Sequence, residues 1–216
     1  MVWLLPFFLF CLAGYLCGAT PFGYYAGKMR GIDIREHGSG NIGATNVIRV
    51  MGKGIGIPVF ILDVLKGWLP AWIASGMFAQ HHASPELITT AAIGAGVSAV
   101  IGHNYTFWLK GKGGKGVATS CGALLATAPI ALFVAVLAWV ITAKITRYVS
   151  VASIVAALCV PAAMVALMAS RGHWNFVLLG FGVVLAALAI WRHKANIQRL
   201  MAGTENKMGA KKPSAP

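Results

Sequence analysis

Acidic side chains are scarce in this sequence. Asp and Glu number five in 216 residues, and charged residues of all kinds make up only 11%. A soluble globular domain carries about 25% charged residues, so this chain has too little polar surface to wet a particle of its size. Five scattered acids also form no aspartate cluster of the kind that holds a divalent metal. That argues against a CDP-alcohol phosphotransferase, and no metal site is expected. Cysteine is equally sparse. Cys11, Cys17, Cys121 and Cys159 all lie in apolar runs without a CxxC pair, which excludes a zinc knuckle or a disulfide framework and leaves small buried hydrophobes. No basic residues precede the first apolar run, so the N-terminus is expected to be a retained span rather than a cleaved signal peptide.

What the chain has instead is hydrophobicity. It is 58% hydrophobic, with a mean hydropathy of +0.74 and 26 glycines, a composition suited to close helix packing in lipid. A span needs about 20 mostly apolar residues. Apolar runs cover residues 2–26, 54–79, 87–102, 149–170 and 174–191. A further stretch, 117–143, holds Pro129 near its middle. Proline disfavours helix in the residue before it, so the stretch is read as a short helix to Thr127 and a longer one from Pro129. The expected fold is an all-α integral membrane protein with seven transmembrane helices in one domain, residues 1–207. The basic tail 208–216 is expected to be disordered.

The net charge of +13 could indicate nucleic acid, but the 18 Lys and Arg residues sit in short segments between apolar runs. That pattern is positive-inside, and no nucleic-acid partner is expected. With seven segments, Lys28 to Lys53, Lys110 to Lys115, Lys144, Arg147 and everything from Arg192 onward share one side. The opposite loops carry only Arg171. The basic side is cytoplasmic on this rule, with the N-terminus outside (periplasmic) and the C-terminus inside.

The polar, glycine-rich segments fall on that same side. His37-Gly-Ser-Gly-Asn-Ile-Gly-Ala-Thr-Asn46 clusters small donors and glycines ahead of Arg49. Glycines let consecutive amides point inward as an anion nest, and Arg49 adds a planar cationic fork. The candidate anion ligands are Ser39, Gly40, Asn41, Gly43, Thr45, Asn46 and Arg49. Lys110-Gly-Lys-Gly-Gly-Lys-Gly116 superficially resembles a nucleotide P-loop, but Gly116 and Val117 follow Lys115 where Ser or Thr is required. It is read as a second phosphate-binding loop, with Lys112, Gly113, Gly114 and Lys115 as its candidates. Arg147-Tyr-Val-Ser150 alone reads as a loop anchor. His193 and Asn196 are three apart, so they share a helical face. Arg192, Lys194 and Arg199 suit either that site or lipid headgroups. Asp63 and Lys66 sit at i and i+3 within a span. Intramembrane charges are costly and usually paired, which leaves a structural ion pair and a site role both open.

Together, Ser39-Gly-Asn-Ile-Gly-Ala-Thr-Asn46, Asp63-Val-Leu-Lys-Gly67, Gly102-His103 leading to residues 110–119, Arg147-Tyr-Val-Ser150 and Arg192-His-Lys-Ala-Asn-Ile197 resemble the bacterial acyl-phosphate:glycerol-3-phosphate acyltransferases. The resemblance covers residues 10–207, in order. It implies an inner-membrane enzyme with its active site facing the cytoplasm. Such an enzyme moves a fatty acyl group from acyl phosphate to the 1-hydroxyl of glycerol 3-phosphate, giving lysophosphatidate and phosphate at the entry to phospholipid synthesis. It implies no cofactor, direct use of neither acyl-CoA nor acyl carrier protein, and no obligatory protein partner beyond the two substrates and membrane lipids. By resemblance, Ser39 to Asn46 would hold the acyl phosphate, and Arg49, Lys112, Ser150, His193 and Asn196 the glycerol 3-phosphate. Lys66, Gly113, Gly114 and Lys115 complete the expected binding set. His103, His193 and the substrate phosphate are candidates for taking the proton, and Lys112 is a candidate for stabilising charge. No His is followed five residues on by Asp, and no GxSxG elbow is present, so a serine acyl-enzyme is not expected. A rival reading, a transporter for a phosphorylated solute, fits less well, because a transporter site lies near the membrane midplane and these motifs crowd one surface.

Overall fold

The computed structural model describes residues 2–209. Ten α-helices follow in order: α1 (Leu4–Ala19), α2 (Phe22–Lys28), α3 (Ala44–Met51), α4 (Lys53–Gln80), α5 (Pro85–Asn104), α6 (Val117–Thr127), α7 (Pro129–Thr146), α8 (Val149–Arg171), α9 (Phe176–Arg192) and α10 (Lys194–Met201). Single 3-10 turns occupy Ile34–Glu36 and Phe107–Leu109. No strand occurs among the described residues.

Local chemistry sets the boundaries. Pro21 divides the first apolar run into α1 and α2, because it cannot donate to the preceding turn. Ala128, the residue before Pro129, takes φ −149° and ψ 62°, so the 117–143 stretch breaks where proline demands it. Ser84 and Asn175 cap α5 and α9 by accepting from the Leu87 and Leu178 amides.

Five segments are long and apolar enough to cross a membrane: Leu4–Lys28, Lys53–Gln80, Pro85–Leu109, Pro129–Thr146 and Val149–Arg171. A sixth arises if α9 and α10, bent by 53° at His193, count as one. The expected fourth segment is the exception. With 11 residues at 1.5 Å each, α6 is about half the roughly 30 Å of a hydrocarbon core.

The short helix is instead packed inside the bundle. Gly67 of α4 lies against the Thr119 carbonyl and Gly122 of α6 against the Val64 carbonyl, so a Cβ at either position would strike backbone. Small residues at such crossings let helices approach closely enough for dispersion to hold them in lipid. The interior is built from Val100, Leu124, Val160, Met164, Phe181 and Leu185. Outward-facing positions are also apolar: Leu5, Phe8, Phe60, Trp72, Phe133 and Phe176 are all exposed, a belt that only lipid would cover.

The described residues end just after Met208. Met208 donates its amide to the Arg147 carbonyl at 2.7 Å and accepts from Arg147 Nη2 at 2.9 Å, so order continues past residue 207. The rest of the expected disordered tail, 210–216, lies outside the described residues.

Candidate active site

A cavity of about 380 Å³ runs into the bundle from the ends of several helices. Its inner walls are apolar, including Leu124 of α6, Trp139 of α7, Val160 of α8 and Leu185 of α9. Its mouth is polar and mostly cationic, with Arg49, Lys115, Ser150, His193, Asn196 and Glu205.

Asn46 organises the first side of the mouth. It is buried on α3, and its amide nitrogen donates to the carbonyls of Ile34, His37 and Asn41. Its oxygen accepts from the Ser39 amide at 2.8 Å and from Arg49 Nη1 at 3.4 Å. Asn46 therefore spends its donors holding the loop 34–46 in shape. Asn41 accepts from the Gly43 amide at 2.8 Å. Ser39, Asn41, Gly43, Thr45 and Arg49 line the cavity, whereas Gly40 does not; Gly40 makes the turn, with φ +69° and its amide bonded to the His37 carbonyl.

The second side is the glycine-lysine loop. Gly113 and Gly114 offer no surface to the cavity. Their carbonyls accept from Arg192 at 2.7–3.0 Å, and the Gly114 Cα lies so close to His103 Nε2 that a Cβ would collide with it. Arg192 is thereby a clamp on the loop, with its guanidinium also over the Tyr105 ring. Lys112 is exposed and points away from the cavity lining, while Lys115, three residues on, lines it. Lys115 donates to Asn196 Oδ1. Burial pushes its ammonium down to about 8, against the partly offsetting attraction of Glu205.

The third side is the α8 start, the α9–α10 junction and the tail. His193 Nδ1 lies 2.7 Å from the Ala189 carbonyl. A carbonyl only accepts, so Nδ1 carries the proton and neutral His193 keeps Nε2 as an acceptor. Ser150 Oγ and Asn196 Nδ2 both donate to Glu205 Oε1, at 2.9 and 2.6 Å, and Arg199 Nε donates to Glu205 Oε2 at 2.7 Å. Burial alone would raise the Glu205 carboxyl, but the hydrogen bonds from Asn196, Ser150 and Arg199 outweigh it and hold it below the usual carboxylate range.

A buried charged group lies beneath the mouth. Asp63 Oδ1 is 2.6 Å from Lys66 Nζ and 3.6 Å from His103 Nδ1. Lys66 also donates to the Thr20 carbonyl at 2.8 Å. Asp63 and His103 reach the cavity and Lys66 does not. The geometry makes Lys66 a tie between α4 and the α1–α2 break rather than a cavity ligand.

With this geometry in view, the comparisons with known proteins are direct. The family model described as glycerol-3-phosphate acyltransferase matches residues 8–203. This chain belongs to that family. A glycerol-3-phosphate acyltransferase of Desulforamulus reducens is 42% identical over 202 residues, spanning 93% of this chain and 94% of its own length. One from Rhodospirillum rubrum is 44% identical over 207 residues, spanning 95% and 92%. Among solved structures, the crystal structure of PlsY, an integral membrane glycerol 3-phosphate acyltransferase, in its glycerol 3-phosphate form superposes with a TM-score of 0.82 at 37% identity, covering 94% of this chain and 96% of that one. Its lysophosphatidic acid form gives 0.80. The chain is thus an integral membrane acyltransferase of lipid biosynthesis.

Several residues that line this cavity were not named as site candidates from the sequence. Glu205 is the main one, and its only sequence signal is that it is a lone acid in a basic tail. Ser120, Trp139 and Ser153 also line the cavity, and Trp139 Nε1 donates to Ser153 Oγ at 3.2 Å. Ser153 follows Ser150 by about one helical turn, and nothing distinguishes Ser120 and Trp139 in sequence from ordinary span residues.

Proposed function

We propose that the protein transfers a fatty acyl group from acyl phosphate to the 1-hydroxyl of sn-glycerol 3-phosphate, giving lysophosphatidate and phosphate. The observation that carries this reading is one cavity whose mouth carries the cations Arg49 and Lys115 and whose interior is apolar. Both substrates bear phosphate and one bears a long chain, and that division matches theirs. The relatives named for glycerol-3-phosphate acylation, and the PlsY structures in glycerol 3-phosphate and lysophosphatidic acid forms, support the acceptor and the product.

In this reading the loop 39–46 cradles the acyl phosphate group, and Arg49, Lys115, Ser150 and Asn196 take the glycerol 3-phosphate. The acceptor oxygen attacks the acyl carbon, a new ester C–O bond forms, and the carbonyl C–O bond to phosphate breaks. A fully ionised acyl phosphate would leave as trianionic phosphate, which is strongly basic. The hydroxyl proton therefore goes to the departing phosphate, giving hydrogen phosphate, with no net proton gained by the protein. His193 Nε2 accepts from the neighbouring 2-hydroxyl of the acceptor and orients it, leaving the 1-hydroxyl proton free for the phosphate. His103 has Nδ1 toward Asp63 and Nε2 against Gly114, so its role is to support the loop. Catalysis comes from positioning and charge stabilisation, without metal or cofactor.

We further infer a seven-segment arrangement in the bacterial inner membrane, with α6 as the short fourth segment, the N-terminus outside and the basic mouth facing the cytoplasm. The placement of Lys and Arg supports it. The test of function is to incubate purified protein with palmitoyl phosphate and glycerol 3-phosphate, without CoA or metal. Lysophosphatidate is the expected product. Its formation from acyl-CoA but not from palmitoyl phosphate would overturn the donor assignment.

A further inference from the structure

Ser150 and Asn196, placed above in the acceptor set, are both already bonded to Glu205, and Arg199 holds the same carboxylate. The Glu205 side chain is 5% exposed. A serine hydroxyl has one proton. While Ser150 gives that proton to Glu205 it has none for a phosphate oxygen. Asn196 is partly committed, with its oxygen on Lys115 and one of its two N–H donors on Glu205. Glu205 sits at a mouth that also holds the cations Arg49 and Lys115, with Arg199 bonded to it.

The carboxylate arrives on a strap. After α10, Gly203 turns the chain at φ +70°, and the Thr204 amide closes on the Arg199 carbonyl at 2.8 Å. The far end is clipped to the α7–α8 turn by the two Arg147–Met208 hydrogen bonds, with Lys207 Nζ 5.5 Å from the Tyr148 ring centroid. The α10 end and the α7–α8 turn thus hold Glu205 over the mouth from both sides. The contacts are few and polar, so the strap can yield without disturbing the apolar bundle.

We propose that Glu205 is a resident anion of the acceptor subsite: it competes with the phosphate of glycerol 3-phosphate for Ser150 and Asn196, and so sets that subsite's affinity for anions. This rests on the acceptor reading given above. The consequence is a site that binds its acceptor less tightly than its cations allow and, in return, releases two anionic products. Glu205 is a specificity residue acting by competition, since every substrate phosphate that engages Ser150 must first displace it.

The test is calorimetric binding of inorganic phosphate and of glycerol 3-phosphate to purified wild type, Glu205→Gln and Glu205→Ala in detergent. Removing a like charge that sits on the ligand's own donors should tighten both ligands by about tenfold to a hundredfold. Phosphate inhibition of turnover should strengthen in parallel. Arg147→Ala, which loosens the strap without touching the mouth, should shift affinity the same way by a smaller factor. Unchanged or weaker binding in a Glu205→Gln variant that keeps the wild-type thermal transition would overturn the proposal, making Glu205 a ligand or a structural tie. If Glu205→Ala does not fold, the near-isosteric Glu205→Gln decides alone. Failure of the acyl-transfer reading would show separately, as wild-type protein that binds phosphate yet makes no lysophosphatidate.

Discussion

Removing the Lys115 ammonium is the sharpest probe of the acceptor reading. The residue reaches the cavity from the loop that Arg192 clamps, and its nitrogen is bonded to Asn196. Lys115→Ala deletes one of the cations facing the acceptor phosphate and leaves Asn196 Oδ1 without its donor. Losing one partner of a desolvated charge pair costs about 2–5 kcal/mol. Lys115 is only partly buried, so the lower end, about 2–3 kcal/mol, applies, or about 30- to 150-fold in affinity. Lys115 holds a phosphate that does not react, so the loss should fall on KM for glycerol 3-phosphate. The kcat at saturation should fall less than tenfold. The measurement is initial-rate lysophosphatidate formation at pH 7 with saturating palmitoyl phosphate. A folded Lys115→Ala variant with KM within threefold of wild type would refute the assignment of this lysine to the acceptor.

Other perturbations separate the parts of the site. With its ammonium near 8, Lys115 loses its charge as pH rises through that value, so KM for glycerol 3-phosphate should climb above pH 8 and stay flat there in Lys115→Arg. The same depressed value means the unfolded chain binds more protons between pH 8 and the usual lysine range, so this group's contribution to stability should increase with pH across that window in thermal unfolding. Arg192→Ala releases the Gly113 and Gly114 carbonyls and should lower kcat and raise both KM values together, which steady-state kinetics with each substrate varied would resolve. Gly122→Val drives a methyl group into the Val64 carbonyl and should cost about 1–3 kcal/mol of overpacking, read as a lower thermal transition in detergent. Ala157→Phe narrows the apolar interior. Excluding three or four methylenes should cost palmitoyl phosphate about 2–3 kcal/mol and shift preference toward shorter acyl chains in a chain-length series.

The helical framework was readable because lipid imposes a simple code. Every backbone group in hydrocarbon must be bonded within its own segment, so apolar runs become helices and prolines mark their breaks. Pro129 divided α6 from α7 as the run predicts, and Pro21 set off α2 inside what reads as one first run. Depth was the less legible property. Pro129 announces the short helix 117–127, but nothing in those residues announces its depth, which depends on what Gly67 and Gly122 allow α4 and α6 to share.

Residue types at the mouth were legible for the same reason that they are rare: in a chain this apolar, small polar residues and cations stand out. Which of them face the cavity was not. Lys112 and Lys115 are equivalent by composition, and only the packing of Gly114 on His103 and the Arg192 clamp turn one outward and the other inward. Asn46 and Lys66 look like ligands, yet the fold spends their donors on the carbonyls of Ile34, His37, Asn41 and Thr20.

Glu205 shows the limit most clearly. Its partners Ser150 and Asn196 lie 55 and 9 residues away in sequence, and no periodicity links them. Charge counting alone would read the mouth as purely cationic and predict tight anion binding. One carboxylate, bonded to the donors a phosphate needs, reverses that inference. In the proposed reaction, which releases a free phosphate and a phosphorylated lipid, a site that returns to its own anion gains more than one that holds its products.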